Sequence, residues 1–267
     1  MFDDIIIRIV LGLIIGFFVG LTSIGSGVIV LPILTVLLKD PITAIGTTTL
    51  YAFLTKITAL FYHVKLKTIN WKISSFFLIG AIPSTITAAN YVSSKNSDLI
   101  FKKNLEYSII IIILISILSI FFNIIRKKSN CEKDEKFNSS ELTNVLSKKI
   151  LSIGSGIFCG FLVGSTSIGG GIIVIPLLII LFNIKTKYAV GSSIFLALIM
   201  TMITSFIYGL KGQQEILTAI IMALGSIIGV YFGSKLTTTI PDKFLKIIVL
   251  FLMIFGFTIL SINTFYH

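Results

Sequence analysis

GFFVGLTSIGSGVIVLPIL, residues 16–34, returns as GFLVGSTSIGGGIIVIPLL at residues 160–178, with 13 of 19 positions identical at an offset of 144. Each copy is an apolar run interrupted by Thr, Ser and several glycines, and then by Pro32 or Pro176. Inside a helix glycine costs about 1 kcal/mol relative to alanine, and proline about 3 kcal/mol. Gly25, Gly27 and Pro32 together mark a place where a helix unwinds, and Gly169, Gly170, Gly171 and Pro176 mark a weaker helix still. Length argues the same way. Residues 5–38 are one long run, apolar apart from Arg8 near its start and a few hydroxyl residues; as one straight helix they would reach about 51 Å, against a hydrocarbon core of about 30 Å. Unwound backbone is tolerated at membrane depth only where protein or a wet cavity covers it, because a bare N–H or C=O in lipid costs several kcal/mol. The paired motif therefore predicts two interrupted segments around a cavity.

Composition sets the class. The 267 residues are 55% hydrophobic and only 12% charged, with a mean hydropathy of +1.03, whereas soluble domains carry about 25% charged residues. This excludes a soluble domain. A net charge of +11 would suit nucleic acid, but the 22 basic residues sit almost entirely in short loops between apolar runs, as topogenic charges do. Cys131 lies in a polar linker and Cys159 in an apolar run, a spacing that fits neither a metal site nor a redox pair. Asp3 and Asp4 precede the first apolar run without a small-residue cleavage pattern, so the reading is a retained first segment.

Beyond residue 38, apolar runs follow at 43–64, 71–92 and 105–126, each near the roughly 20 residues a span requires. Residues 127–148 are polar and hold four of the acids. Then the pattern repeats: 149–183 with its glycine break, 188–210, 215–235 and 243–263. Gly46-Thr47-Thr48 answers Gly191-Ser192-Ser193, and Gly80 answers Gly225, at an offset of 145. The expectation is an all-α polytopic membrane protein of two homologous four-segment repeats, each opening with a Gly/Pro-broken helix or re-entrant hairpin. Residues 1–126 form the first membrane repeat, 127–148 a cytoplasmic polar linker and 149–267 the second repeat. Such duplications are transporter-like, with the site where the halves meet. The lysines crowding the linker place it in the cytoplasm. If the broken segment crosses, the halves are parallel and both termini lie inside; if it re-enters, the halves are inverted and both lie outside. Length favours re-entry.

At the paired TSIGxG and Pro motifs the sequence resembles the TauE/SafE sulfite exporter family, over residues 5–263. In that family a Gly-rich SxGGG-Pro signature recurs in each half, and a loop ending near Asp-Trp precedes the third span. Here the loop reads KLKTINW, so Asn70 replaces the acid before Trp71, and Ser26 stands where the second half has Gly170. The resemblance implies transport, outward or inward, of a sulfur oxyanion or organosulfonate such as sulfite.

The residues point to anions independently. At a helix break the downstream half begins with unpaired N–H groups and about +0.5 of dipole charge. The candidate site comprises the backbone around Gly25, Gly27, Gly169, Gly170 and Gly171, with the hydroxyls of Thr22, Ser23, Thr166 and Ser167. Close helix packing alone would also use glycines, but it does not call for Thr-Ser before them and Pro after them in both copies. Lys56 is the one basic residue deep inside an apolar run, and Thr201 is its counterpart. A charge there costs at least about 2.5 kcal/mol, which makes Lys56 a candidate for attracting the anion, with snorkelling to the interface as the competing reading. Thr47, Thr48, Ser192, Ser193 and His63 form a second tier: the hydroxyls also suit helix caps, and His63 also suits an interface.

All eleven acids fall in loops or at span ends, so a carboxylate proton relay is not expected, and anion efflux is expected to follow the membrane potential. Expected partners are a small anion, the bilayer and a second copy of the chain, without nucleic acid, metal or cofactor, in a multi-pass protein of a bacterial inner membrane. The alternatives are a non-transporting scaffold and a membrane enzyme. HExxH, P-loop and Ser-His-Asp patterns are missing.

Overall fold

The computed structural model describes residues 2–126, 142–168, 170–241 and parts of 244–262. Within them the chain is helical: α1 Phe2–Thr22, a π-helical turn Ser26–Val30, α2 Leu31–Leu38, α3 Pro41–Lys65, α4 Trp71–Ser94, α5 Leu99–Arg126, α6 Leu142–Thr166, α7 Val174–Phe182, α8 Thr186–Leu210 and α9 Ile216–Thr237. Six described helices are long and apolar enough to cross a membrane: α1, α3, α4, α6, α8 and α9. Their outward faces expose large apolar residues such as Ile7, Phe61, Ile79, Phe206, Leu224 and Phe232, as lipid contact requires. The sequence's linker, residues 127–148, falls mostly outside the described residues; its last residues belong to α6.

Local chemistry sets the helix ends. Asp40 caps α3 by accepting from Thr43 N at 3.0 Å, with Pro41 at the first helical position, where its missing N–H costs nothing. Asn70 caps α4, its Oδ1 accepting from Ile73 N at 3.3 Å, so amide in place of acid keeps the cap. The short helices α2 and α7 end on left-handed residues, Lys39 (φ 53) and Asn183 (φ 50). Left-handed residues fall in pairs along the chain: Ser23 with Ser167, Lys39 with Asn183, and Lys67 with Gly212.

Glycine decides which helices lie together. α1 runs parallel to α9, with Gly12 against Met222, Gly16 against Ser226 and Gly20 against Val230; from the other side, Gly225, Gly229 and Gly233 lie against Ile9, Leu13 and Phe17. A methyl group at any of these would strike the facing backbone, so the helices approach as closely as two backbones can. α4 runs parallel to α6 in the same manner, Gly156, Gly160 and Gly164 meeting Phe77, Ala81 and Thr85. α3 and α8 lie antiparallel in the centre, each reaching the loop beyond the other's end. Thr47 Oγ1 accepts from Glu215 N at 2.8 Å, and Ser192 Oγ accepts from Asn70 N at 2.8 Å.

The chain reverses after α1. Gly25, at φ 140, lies against Val19 and Ile15, ten residues back; along a continuing helix it would stand about 15 Å from Ile15. α3 then runs in the direction of α1, as Tyr51 Oη bonds the Gly12 carbonyl at 3.5 Å and His63 Nε2 bonds the Gly20 carbonyl at 3.0 Å. Ser26–Leu38 therefore leads back towards the end where α1 began.

Candidate functional site

The C-terminal ends of α1 and α6 share a construction. Thr22 Oγ1 donates to the Phe18 carbonyl at 2.8 Å and accepts from Ile24 N at 3.2 Å; Thr166 Oγ1 donates to the Leu162 carbonyl at 2.7 Å and accepts from Ile168 N at 3.2 Å. The threonines staple the turn. The serines that follow are left-handed, at φ 61 and 60, a conformation that a short polar side chain tolerates better than a branched one. Their hydroxyls are buried and have no hydrogen-bond partner. A buried hydroxyl without a partner is unfavourable; Ser74 and Ser234 share that state, and what sets Ser23 and Ser167 apart is that they stand at matching places in the two turns.

The two turns meet. A methyl at Gly27 would strike the Ser167 carbonyl, and one at Gly171 would strike the Ser23 carbonyl, so each glycine admits the other half's backbone. Gly25 turns the chain, and Gly170 packs on Ala197. Gly169 lies outside the described residues. At this crossing Lys56 Nζ donates to Ser26 Oγ at 2.7 Å. Lys56 is 2% exposed, so the snorkelling reading does not describe it. No acid among the described residues pairs with it; Asp40 pairs instead with Lys102, 2.7 Å away near the start of α3. In the second half the corresponding pair is Thr201 and Gly170, and Thr201 Oγ1 is satisfied by the Ala197 carbonyl at 2.7 Å.

Ser26 was not among the residues singled out from sequence, although a signal existed. The first half departs from the second at Ser26 and at Lys56, and the structure joins those two departures in one hydrogen bond. The second tier divides. Thr47 and Ser192 hydroxyls accept from loop amides across the molecule, and Ser193 Oγ donates to the Val190 carbonyl at 2.8 Å. Thr48 Oγ1 is buried without a partner. His63 is fully buried between the Gly20 carbonyl and Thr68 Oγ1 at 2.8 Å, locking the end of α3 to α1.

Against known proteins, the family model for the sulfite exporter TauE/SafE matches residues 8–259. The chain belongs to the TauE/SafE family. A "Probable membrane transporter protein YjnA" of Bacillus subtilis is 30% identical over 90% of this chain and 93% of its own length. YunE of the same organism, under the same description, is 29% identical over 89% of each chain. MJ0441 of Methanocaldococcus jannaschii, also named a probable membrane transporter protein, is 28% identical over 90% of this chain and 89% of its own. No solved structure matches the chain. As a TauE/SafE protein with six described helices able to span, it is a multi-pass membrane transporter, and its relatives carry transporter names, in keeping with a non-enzymatic role.

Proposed function

We propose that this chain is a secondary carrier for a small anion, a sulfur oxyanion or organosulfonate such as sulfite, bound where the two turns cross. One observation carries the reading: a buried lysine nitrogen with no acid beside it among the described residues, Lys56 Nζ, lies at a crossing that also holds two unpartnered buried hydroxyls, Ser23 and Ser167. An oxyanion supplies what these groups lack, namely negative charge and several acceptor oxygens. The amides that open the π-helical turn and α7 add the positive ends of helices.

The halves are inverted duplicates. The paired left-handed residues, the parallel packing of α1 with α9 and of α4 with α6, and the antiparallel packing of α3 with α8 all support that symmetry. The short return of Ser26–Leu38 makes each half change sides once, so both termini lie on the face opposite the linker. Charge supports a cytoplasmic linker. Lys65, Lys67, Lys72, Lys148, Lys149, Lys185, Lys187 and Lys235 fall at the linker end and outnumber Lys39, Lys95, Lys102, Lys103 and Lys211 at the other, where Asp40, Asp98 and Glu215 also fall. The cell membrane is the matching location. Alternating access then follows from one half rocking against the other about the crossing.

Flux of radiolabelled sulfite, sulfate, thiosulfate, sulfoacetate and simple carboxylates into proteoliposomes tests this reading. Saturable movement of at least one sulfur oxyanion is expected. In the Ser23→Ala/Ser167→Ala double variant it should fall by about tenfold or more, the loss of one to two hydrogen bonds to a charged group. If none of these anions moves, or if the double variant carries them as fast as the wild type, the anion site is wrong.

A further inference from the structure

An anion site explains why Lys56 is charged when occupied, but leaves open what balances it when empty. Lys56 Nζ has a single protein partner among the described residues, Ser26 Oγ, although an ammonium carries three N–H donors. Among the described residues, the elements packed around α3 bring no counter-charge to it. The π-helical turn and α2 contain no titratable side chain; the described side chains of α1 offer only Arg8, near its start and bonded to Thr218 Oγ1. α5 offers Lys102, Lys103, Glu106 and Tyr107 in its opening turns. α8 has Lys187 and Tyr188 at one end and Tyr208 at the other, and α9 has Tyr231 and Lys235 late in its length. On α3 itself stand Tyr51, Tyr62, His63 and Lys65. Asp40 is 16 residues from Lys56, about 24 Å along the helix, and is already paired with Lys102.

An isolated charge in a low-dielectric interior is unfavourable, and a counter-ion within bonding distance removes most of that cost. An anion at the crossing therefore favours a proton on Lys56, and a proton there favours the anion by the same factor, since linkage is reciprocal. We propose that each anion binds together with a proton taken up by Lys56, so that the carrier moves the two as a pair. The inference rests on the anion site proposed above. Its chemistry is one proton transfer: the amine lone pair forms an N–H bond as an O–H bond of hydronium breaks and leaves water, and when the anion leaves the ammonium returns that proton to water. When the site is empty, the amine and the Ser26 hydroxyl share one hydrogen bond; when it is loaded, the ammonium directs its further N–H groups at the anion. Thr201 stands at the matching place in the second half, its hydroxyl already satisfied, so one proton accompanies each cycle. A singly charged anion moved with a proton is electroneutral. Membrane potential then acts weakly on the loaded carrier, contrary to the voltage-driven efflux expected from the acids' positions alone.

The test is calorimetric titration of the purified full chain with methanesulfonate and with sulfate, both of constant charge around neutral pH, in buffers of differing ionisation enthalpy. The buffer dependence of the heat counts protons taken up per anion bound. The wild type is expected to take up close to one, and Lys56→Arg and Lys56→Gln none, with size-exclusion profiles and thermal unfolding confirming that the variants fold. His63→Asn, which alters the other buried base on α3, is expected to keep the wild-type count. Anion binding with buffer-independent heat in the wild type would overturn the proton linkage while leaving the anion site standing. Uptake that survives in Lys56→Gln, or disappears in His63→Asn, would overturn it as well. Failure of both anions, and of sulfite, to bind would overturn the site and the linkage together.

Discussion

Thr22 and Ser23 are neighbours of similar chemistry with opposite duties, and the same division recurs at Thr166 and Ser167. The threonine hydroxyl is consumed by backbone on both sides of the turn, whereas the serine hydroxyl is buried without a partner. Substitution should separate them. Thr22→Val and Thr166→Val each remove a buried hydrogen bond and strand the Ile24 or Ile168 amide, so each lowers stability by about 1–3 kcal/mol, seen as an earlier melting transition in detergent. Ser23→Ala and Ser167→Ala remove no protein bond, so they leave the melting transition within about 0.5 kcal/mol of the wild type while weakening anion binding. A melting loss for the serine variants equal to that of the threonine variants would mean that the serines, too, serve only the fold.

Elements meet in this protein where glycine lets backbones touch. Gly171→Ala places a methyl on the Ser23 carbonyl, which neither backbone can yield easily, so α7 is pushed away from the end of α1. The expected cost is about 1–3 kcal/mol of stability, together with loss of anion binding, measured in one sample by melting with and without sulfite. Gly154→Ala is the control: nothing lies within reach of a methyl there, and alanine's higher helix propensity should leave α6 unharmed or firmer. A second element contact is electrostatic. Burial pushes the Asp40 carboxyl upward, but hydrogen bonds from Lys102 and Thr43 and the Lys102 charge outweigh it and hold Asp40 below the ordinary carboxylate range. A carboxyl lowered on folding stabilises the fold above its unfolded value, about pH 3.9, and that contribution fades as the pH falls through the folded value. Asp40→Asn should therefore melt earlier than the wild type at neutral pH, and the gap should close on acidification. A gap that is constant with pH would remove the ion pair from the account.

At the scale of the molecule, direction is the property to test. In the proposed inverted arrangement the linker lies on one face and the start of the chain on the other. An impermeant thiol reagent reads this directly. Cys159 is buried, and Cys131 in the linker is a native reporter. Cys131 should react in inside-out vesicles but not in intact cells. In a Cys131→Ser background, Lys67→Cys should behave likewise, and Lys95→Cys, from the opposite end of α4, should react in intact cells. Labelling of positions 67 and 95 from the same side would break the proposed inverted arrangement.

Apolar length, the scarcity of charge and the placement of lysines by themselves determined that this is a helical, multi-pass membrane chain, because the bilayer imposes those features segment by segment. The repeated Thr-Ser-Ile-Gly motif marked the stretch that holds the candidate site for the same local reason: glycine and proline weaken a helix wherever they stand. What only the tertiary structure decided is everything that joins distant stretches. It paired α1 with α9 rather than with its own half, spent the Thr47 and Ser192 hydroxyls on loop amides more than 100 residues away, and brought Ser26 to Lys56. Contacts of that kind depend on which surfaces fit once all the helices are present. A residue's own neighbourhood in the chain carries no record of the backbone it will finally touch.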